Sequence, residues 1–208
     1  NNGTNTTTSY PTPFGDYYKT QRAQYLYRSD ELVAAGMGAG DITSVAFTVS
    51  LPYIITDIDG GVTENYTIKI LSTGVTSLST TLWESGATTV WGPSNYIPVE
   101  GVNTFTLASP FYWDGASNLI IEICGGLPAG EWEENAQVIW TTGLAFNGSH
   151  TFRSDIEPAV CDYSGATFSG TATNRPQIIF GAAAATDCEG TPVAGAASSD
   201  MGSVCPTD

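Results

Sequence analysis

Apolar and polar residues alternate along the chain in short runs. Val45, Phe47, Val49 and Leu51 fall on one side of an extended segment, with Ser44, Ala46, Thr48 and Ser50 on the other. Tyr66, Ile68 and Ile70 repeat the spacing, with Thr67 and Lys69 turned away. A period of two is that of a strand with one face on a core. Segments 88–91, 104–107, 118–124, 137–142 and 177–180 add further strands, and the most apolar of them ends at Cys124. Turn residues interrupt these runs roughly every ten residues, the rhythm of a sandwich or barrel. The pattern predicts an all-β, jelly-roll-like antiparallel β-sandwich with one short helical turn.

That turn is predicted at 29–36. Ser29 is placed to cap it, Asp30 and Glu31 suit the positive end of a helix, and Gly36 can stop it. Segments 36–40 and 128–130 are Gly-rich, but no strand-loop-helix context surrounds them, so they read as connections and not as phosphate cradles. After Phe180 the composition shifts to Ala, Gly, Ser, Thr and Pro, which reads as a tether. The organisation expected is a polar arm over 1–9, a sandwich over 10–186 and a cysteine-containing linker over 187–208.

Composition narrows the function. Hydrophobic residues make up 41% of the 208, enough for a core, while 21 acidic residues stand against six basic ones for a net charge of −15. Such a chain repels phosphate backbones and anionic lipid, which argues against nucleic-acid partners. No apolar run is long enough to span a bilayer, so no membrane insertion is expected. The polar stretch from Asn1 reads as a mature N-terminus after removal of a signal peptide. Cys124, Cys161, Cys188 and Cys205 form an even set without a C-x-x-C pair, which favours disulfides over zinc and an oxidising, extracellular compartment. Three pairings are open, and sequence locality favours Cys124 with Cys161 and Cys188 with Cys205.

Several pieces carry a resemblance. They are Tyr10-Pro-Thr-Pro-Phe-Gly-Asp-Tyr-Tyr18, Gln24-Tyr-Leu-Tyr27, Ser29-Asp-Glu-Leu32, Ala35-Gly-Met37, Pro110-Phe-Tyr-Trp-Asp-Gly115, Ser117-Asn-Leu-Ile120, Glu122-Ile-Cys124 and Asn174-Arg-Pro176. Together they resemble the N-terminal module of large secreted surface proteins of Bacteroidetes-type bacteria, which continue into Ig-like or fibronectin type III repeats and end in a type IX secretion signal. The segment from Cys188 to Cys205 resembles the junction into such repeats. The resemblance implies export, an adhesive surface setting and a jelly-roll-like sandwich, and it supplies no catalytic residue.

Candidate chemistry is sparse. A Ser-His-Asp site needs a histidine, and His150, in the polar run Asn147-Gly-Ser-His-Thr151, reads as an exposed loop residue without companions. A glycosidase needs only two carboxylates; Glu84, Asp114, Glu122, Glu131, Glu133 and Glu134 are available, though Asp114 sits in a Trp-Asp-Gly turn and Glu122 on a strand beside Cys124. Asp57 and Asp59, alternating around a Gly turn with Glu64 beyond, are the candidate calcium ligands, against the simpler reading of an acidic hairpin turn. Sugar binding asks for exposed rings beside amides and carboxylates. Trp132 between Glu131 and Glu133 meets that description, as do Trp91, Asn95 and Tyr96 around Gly92-Pro93. Trp113 and Trp140 lie in hydrophobic patterns and read as core. Asn2, Asn5, Asn65 and Asn147 open N-x-Ser/Thr sequons, which would mark surface positions if glycosylated.

The reading is a non-catalytic binding or adhesion module at a cell surface, directed at a surface glycan or a protein partner. The alternative is a structural subunit of a filament or surface layer that pairs with copies of itself, using edge strands and the arm 1–9. Glycoside hydrolysis is a minor third.

Overall fold

The computed structural model describes residues 2–52, 62–126, 134–156 and 160–182. In chain order these form β1 (Asn2–Thr4), β2 (Thr20–Tyr27), α1 (Ser29–Ala34), β3 (Gly40–Leu51), β4 (Thr63–Thr73), β5 (Thr88–Tyr96), β6 (Gly101–Trp113), β7 (Asn118–Gly126), β8 (Gln137–Thr141), β9 (Ser149–Ser154), a 3-10 turn (Val160–Asp162), β10 (Gly170–Ala172), β11 (Arg175–Pro176) and β12 (Ile179–Ala182). Sheet one contains β1, β3, β6, β8, β11 and β12; sheet two has the order β10-β9-β2-β7-β4-β5. All pairings are antiparallel. The chain passes repeatedly from one sheet to the other, giving the all-β sandwich that the alternation predicts.

The core lies between the sheets and follows the period of two. Sheet one contributes Val45, Phe47, Val49, Phe105 and Trp113, and sheet two contributes Tyr25, Tyr66, Ile68, Ile70, Ile121 and Ile123. Trp140 is buried as well, so both tryptophans expected in the core are there. Phe14, from the segment before β2, enters the same core and meets Phe47 edge-on at 6.0 Å between ring centroids. Truncating one such ring costs about 3–5 kcal/mol, so these residues dominate stability.

Some local expectations change. Leu51 does not share the core face of Val45, Phe47 and Val49: the register shifts between Val49 and Leu51, and Leu51 is 39% exposed. The helix is capped one residue earlier than predicted. Arg28 is the extended N-cap, and its N–H donates to Glu31 Oε2 at 3.0 Å. Gly36 does end it, with φ of +89° and its N–H on the Val33 carbonyl. The strand expected at 177–180 starts at Ile179, and Arg175–Pro176 form a separate short strand on β8.

The outer face of sheet two is covered too. Thr67 and Lys69 turn away from the core as predicted, yet Thr67 is buried. The chain between β4 and β5 supplies Leu78, which packs with Leu26 and Ile120, and also Trp83, which lies against the segment after β9. The Cys124–Cys161 disulfide fastens that segment to β7. Strands β2 and β7 are consequently buried along their whole length.

The arm is part of the fold. Strand β1 pairs with β8, Gly3 opposite Trp140. Asn5 is 1% exposed; its Nδ2 donates to the Ala136 carbonyl at 2.8 Å and its Oδ1 accepts the Val138 N–H at 2.6 Å. A sequon asparagine engaged in this way has no amide free for a glycan in the folded state.

Candidate functional site

The antiparallel register lines up one polar row across sheet two: Thr171, His150, Gln24, Glu122, Lys69 and Thr89 on β10, β9, β2, β7, β4 and β5. Glu122 holds Arg22 at 2.6 Å and Lys69 at 2.9 Å. Gln24 Nε2 donates to Glu122 Oε2 at 2.7 Å and to the Glu84 carbonyl at 2.7 Å, while its Oε1 accepts the Glu84 N–H at 3.0 Å. That two-point grip on the backbone of one residue orients the amide. Arg22 stacks 4.2 Å over Trp83 and donates to the Tyr163 carbonyl. The row therefore bolts the outer layer to the sheet from both sides.

His150 is corrected from an exposed loop residue to a fully buried one on β9. Its ring lies between Trp83 and Phe168, with centroids 4.6 and 4.3 Å away. Nδ1 is 3.1 Å from the Ser79 carbonyl and Nε2 is 2.9 Å from Gln24 Oε1. Burial lowers its pKa to about 4; the Arg22 charge adds to that, outweighing the Ser79 carbonyl and Glu122. A neutral imidazole under a closed aromatic lid, beside a carboxylate neutralised by two cations, is a structural joint. Sequence reasoning missed it, although the apolar residues on both faces of 118–124 signal a strand buried on both sides.

The ring candidates divide. Trp91 and Tyr96 lie near each other and are half-buried against the core: Phe105 is 4.9 Å from Trp91 and 4.7 Å from Tyr96 between centroids. The Tyr96 hydroxyl donates to Asn103 Oδ1 at 2.8 Å. Gly92, at φ of +81°, lets β5 come so close to β4 that a Cβ there would strike the Tyr66 carbonyl. Asn95 is exposed and its Oδ1 faces the Asn65 N–H at 3.4 Å. Trp132, Glu131 and Glu133 lie outside the described residues.

For calcium, Glu64 is half-buried on β4, and Asp57 and Asp59 lie outside the described residues. Among the described residues no three of His, Cys, Asp and Glu are grouped to hold a metal. The strands flanking 53–61 and 127–133 share one end of the sandwich: Leu51 is opposite Gln137, Glu64 opposite Gly126 and Thr63 opposite Tyr96. Of the cysteines, Cys124 and Cys161 are joined as expected, and Cys188 and Cys205 lie outside the described residues. Asp114 closes its own turn, accepting the Ala116 N–H at 2.9 Å and the Ser117 N–H at 2.7 Å, which with the Ser117 hydroxyl hold its carboxyl down to about 2.

An open groove of about 430 Å³ lies at the opposite end, where α1 meets the ends of β4 and β7. Arg28, Asp30, Thr73, Thr76, Ser117 and Asn118 are in its lining. Arg28 Nε is 3.3 Å from Asp30 Oδ1, so a cationic donor and an anionic acceptor sit side by side among hydroxyls. Asn118 holds the wall together, accepting the Ser29 N–H and donating to the Val75 carbonyl, both at 2.8 Å.

Compared with family models, curated proteins and solved structures, the chain matches none.

Proposed function

We propose that this chain is an exported binding module that holds a glycan, without catalysis, in the groove between α1 and the ends of β4 and β7. The observation that carries this reading is the Arg28–Asp30 pair at 3.3 Å inside a hydroxyl-lined groove. A sugar hydroxyl both donates and accepts, so an adjacent cationic donor and anionic acceptor match two neighbouring hydroxyls. The Cys124–Cys161 disulfide supports export, because such bonds persist in oxidising compartments. Three of the described groups that could have served catalysis are engaged elsewhere: Glu122 in two ion pairs, His150 under the outer layer, Asp114 in its turn.

The test is a glycan array probed with the wild-type protein and with Asp30→Ala. Asp30 is exposed, so the variant keeps its fold while losing the wild-type signals. Wild-type protein that binds no glycan, or Asp30→Ala with an unchanged profile, would sink the proposal.

One observation favours assembly as the second reading. Strand β6 runs 13 residues and pairs with β3 alone among the described residues, leaving its other edge open. A concentration-dependent oligomer that Thr104→Pro abolishes is the result expected from that reading.

A further inference from the structure

A second groove, of about 290 Å³, opens at the other edge of sheet two, where β9 and β10 face the end of the arm. Alternation along β9 sends His150 and Phe152 into the outer layer and turns Ser149, Thr151 and Arg153 to the opposite side, across from Tyr25, Ala23 and Gln21 on β2. Tyr10 and Pro11 form part of the facing wall.

Arg153 is treated differently from the other arginines. Arg22, Arg28 and Arg175 each pair with a carboxylate, on Glu122, Asp30 and Glu31. No described carboxylate forms an ion pair with Arg153. Its guanidinium carbon instead lies 4.5 Å from the Tyr10 ring centroid and 5.1 Å from that of Tyr18. Packing against rings holds a guanidinium in place through its face and leaves the N–H groups on its edge unused. In a chain with 21 acidic residues, the groove lining contains this one cation and no acid. The surrounding hydroxyls of Thr8 and Ser9 can both donate and accept.

We infer that this groove binds a sugar carrying a carboxylate, a uronic-acid type of ring. Arg153 takes the carboxylate through two parallel N–H groups, the threonine and serine hydroxyls meet the ring hydroxyls, and Tyr10 and Pro11 cover the apolar face of the ring. The inference rests on the glycan reading for its ligand class, but on residues separate from the Arg28–Asp30 groove.

The experiment titrates glucuronate, glucose and acetate into ¹⁵N-labelled protein and follows the backbone amides. Glucuronate is expected to shift Thr151 and Thr171, with glucose and acetate at least about tenfold weaker. Arg153→Gln should weaken glucuronate by about tenfold or more while Asp30→Ala leaves it unchanged. Gly170→Trp, a filling substitution at an exposed position opposite Thr151 where a side chain meets open space, gives the same loss should Arg153→Gln fail to fold. Glucose or acetate binding as well as glucuronate, or glucuronate binding undiminished in these variants, overturns the inference. Loss of array signals in Asp30→Ala alongside no glucuronate binding would remove this site and leave the first groove standing.

Discussion

Gln24 Oε1 lies 2.9 Å from His150 Nε2, across the register that sets β2 against β9. The opposite ring nitrogen faces a second acceptor, the Ser79 carbonyl, so the imidazole stands between two oxygens. One N–H of a neutral ring serves one of them; a second proton would complete both bonds, but burial and Arg22 oppose it.

Stability should therefore fall on acidification. The folded pKa of His150 is about 4, below the ordinary value of 6.5, so between these values the unfolded chain takes up a proton that the folded chain refuses. The contribution is intact above the unfolded value and lost as pH drops toward the folded one, amounting to roughly 3 kcal/mol at most. Urea midpoints at pH 7.5 and 4.5 measure it. A slope identical in His150→Gln would show that the histidine is not its source.

Glu122 should be the least replaceable carboxylate among the described residues. At 1% exposure it neutralises both Arg22 and Lys69. Glu122→Gln keeps the shape and strands two cations under the outer layer, with an expected loss of about 3 kcal/mol or more by chemical denaturation. A loss below about 1 kcal/mol would mean that water reaches the pair.

The disulfide closes a loop of sequence separation 37, and the double change of Cys124 and Cys161 to Ala should cost about 2–4 kcal/mol. The loss should also be local. Release of the segment after β9 uncovers Trp83, which packs on Phe168 at 4.9 Å, so a red shift of tryptophan emission should accompany it while far-ultraviolet circular dichroism holds.

Removing the Asn5 amide should free the arm. Asn5→Ala leaves the Val138 N–H without its side-chain partner and the Ala136 carbonyl with the Thr12 hydroxyl alone, at a cost of about 1–3 kcal/mol. Faster hydrogen exchange at Val138 and at the β1 amides, with core amides unchanged, is the outcome to look for.

Much of the scaffold is legible in the alternation. The phase at Val45, Phe47 and Val49 and at Tyr66, Ile68 and Ile70 identifies the core faces, because a strand gives its neighbours no choice but opposite sides. The Asp114 turn and the Gly36 helix stop are also local matters, settled by a side chain within reach of its own backbone. Residues within 10–18, 24–27 and 174–176 include several of the pins that hold this scaffold. Phe14 plugs the core; Tyr27 donates to the Pro176 carbonyl at 2.7 Å; Arg175 joins β11 to the Leu26 carbonyl and to Glu31.

The candidate sites were less legible. Trp91 and Tyr96 match a sugar platform in composition, but whether a ring faces solvent depends on what packs on it, here Phe105 on a different strand. His150 sits in a polar run and is buried because two remote segments close over it. Arg153 and Tyr10 are far apart in sequence, and only the return of the arm beside β9 brings them together. By itself the sequence determined the strand periodicity, the all-β class, the local turns and the acidic balance, all of which depend on neighbouring residues. The tertiary structure alone decided which faces are covered twice, which charges are neutralised and which guanidinium packs on rings with no ion pair among the described residues, since each depends on contacts between residues that the chain connects only through the fold.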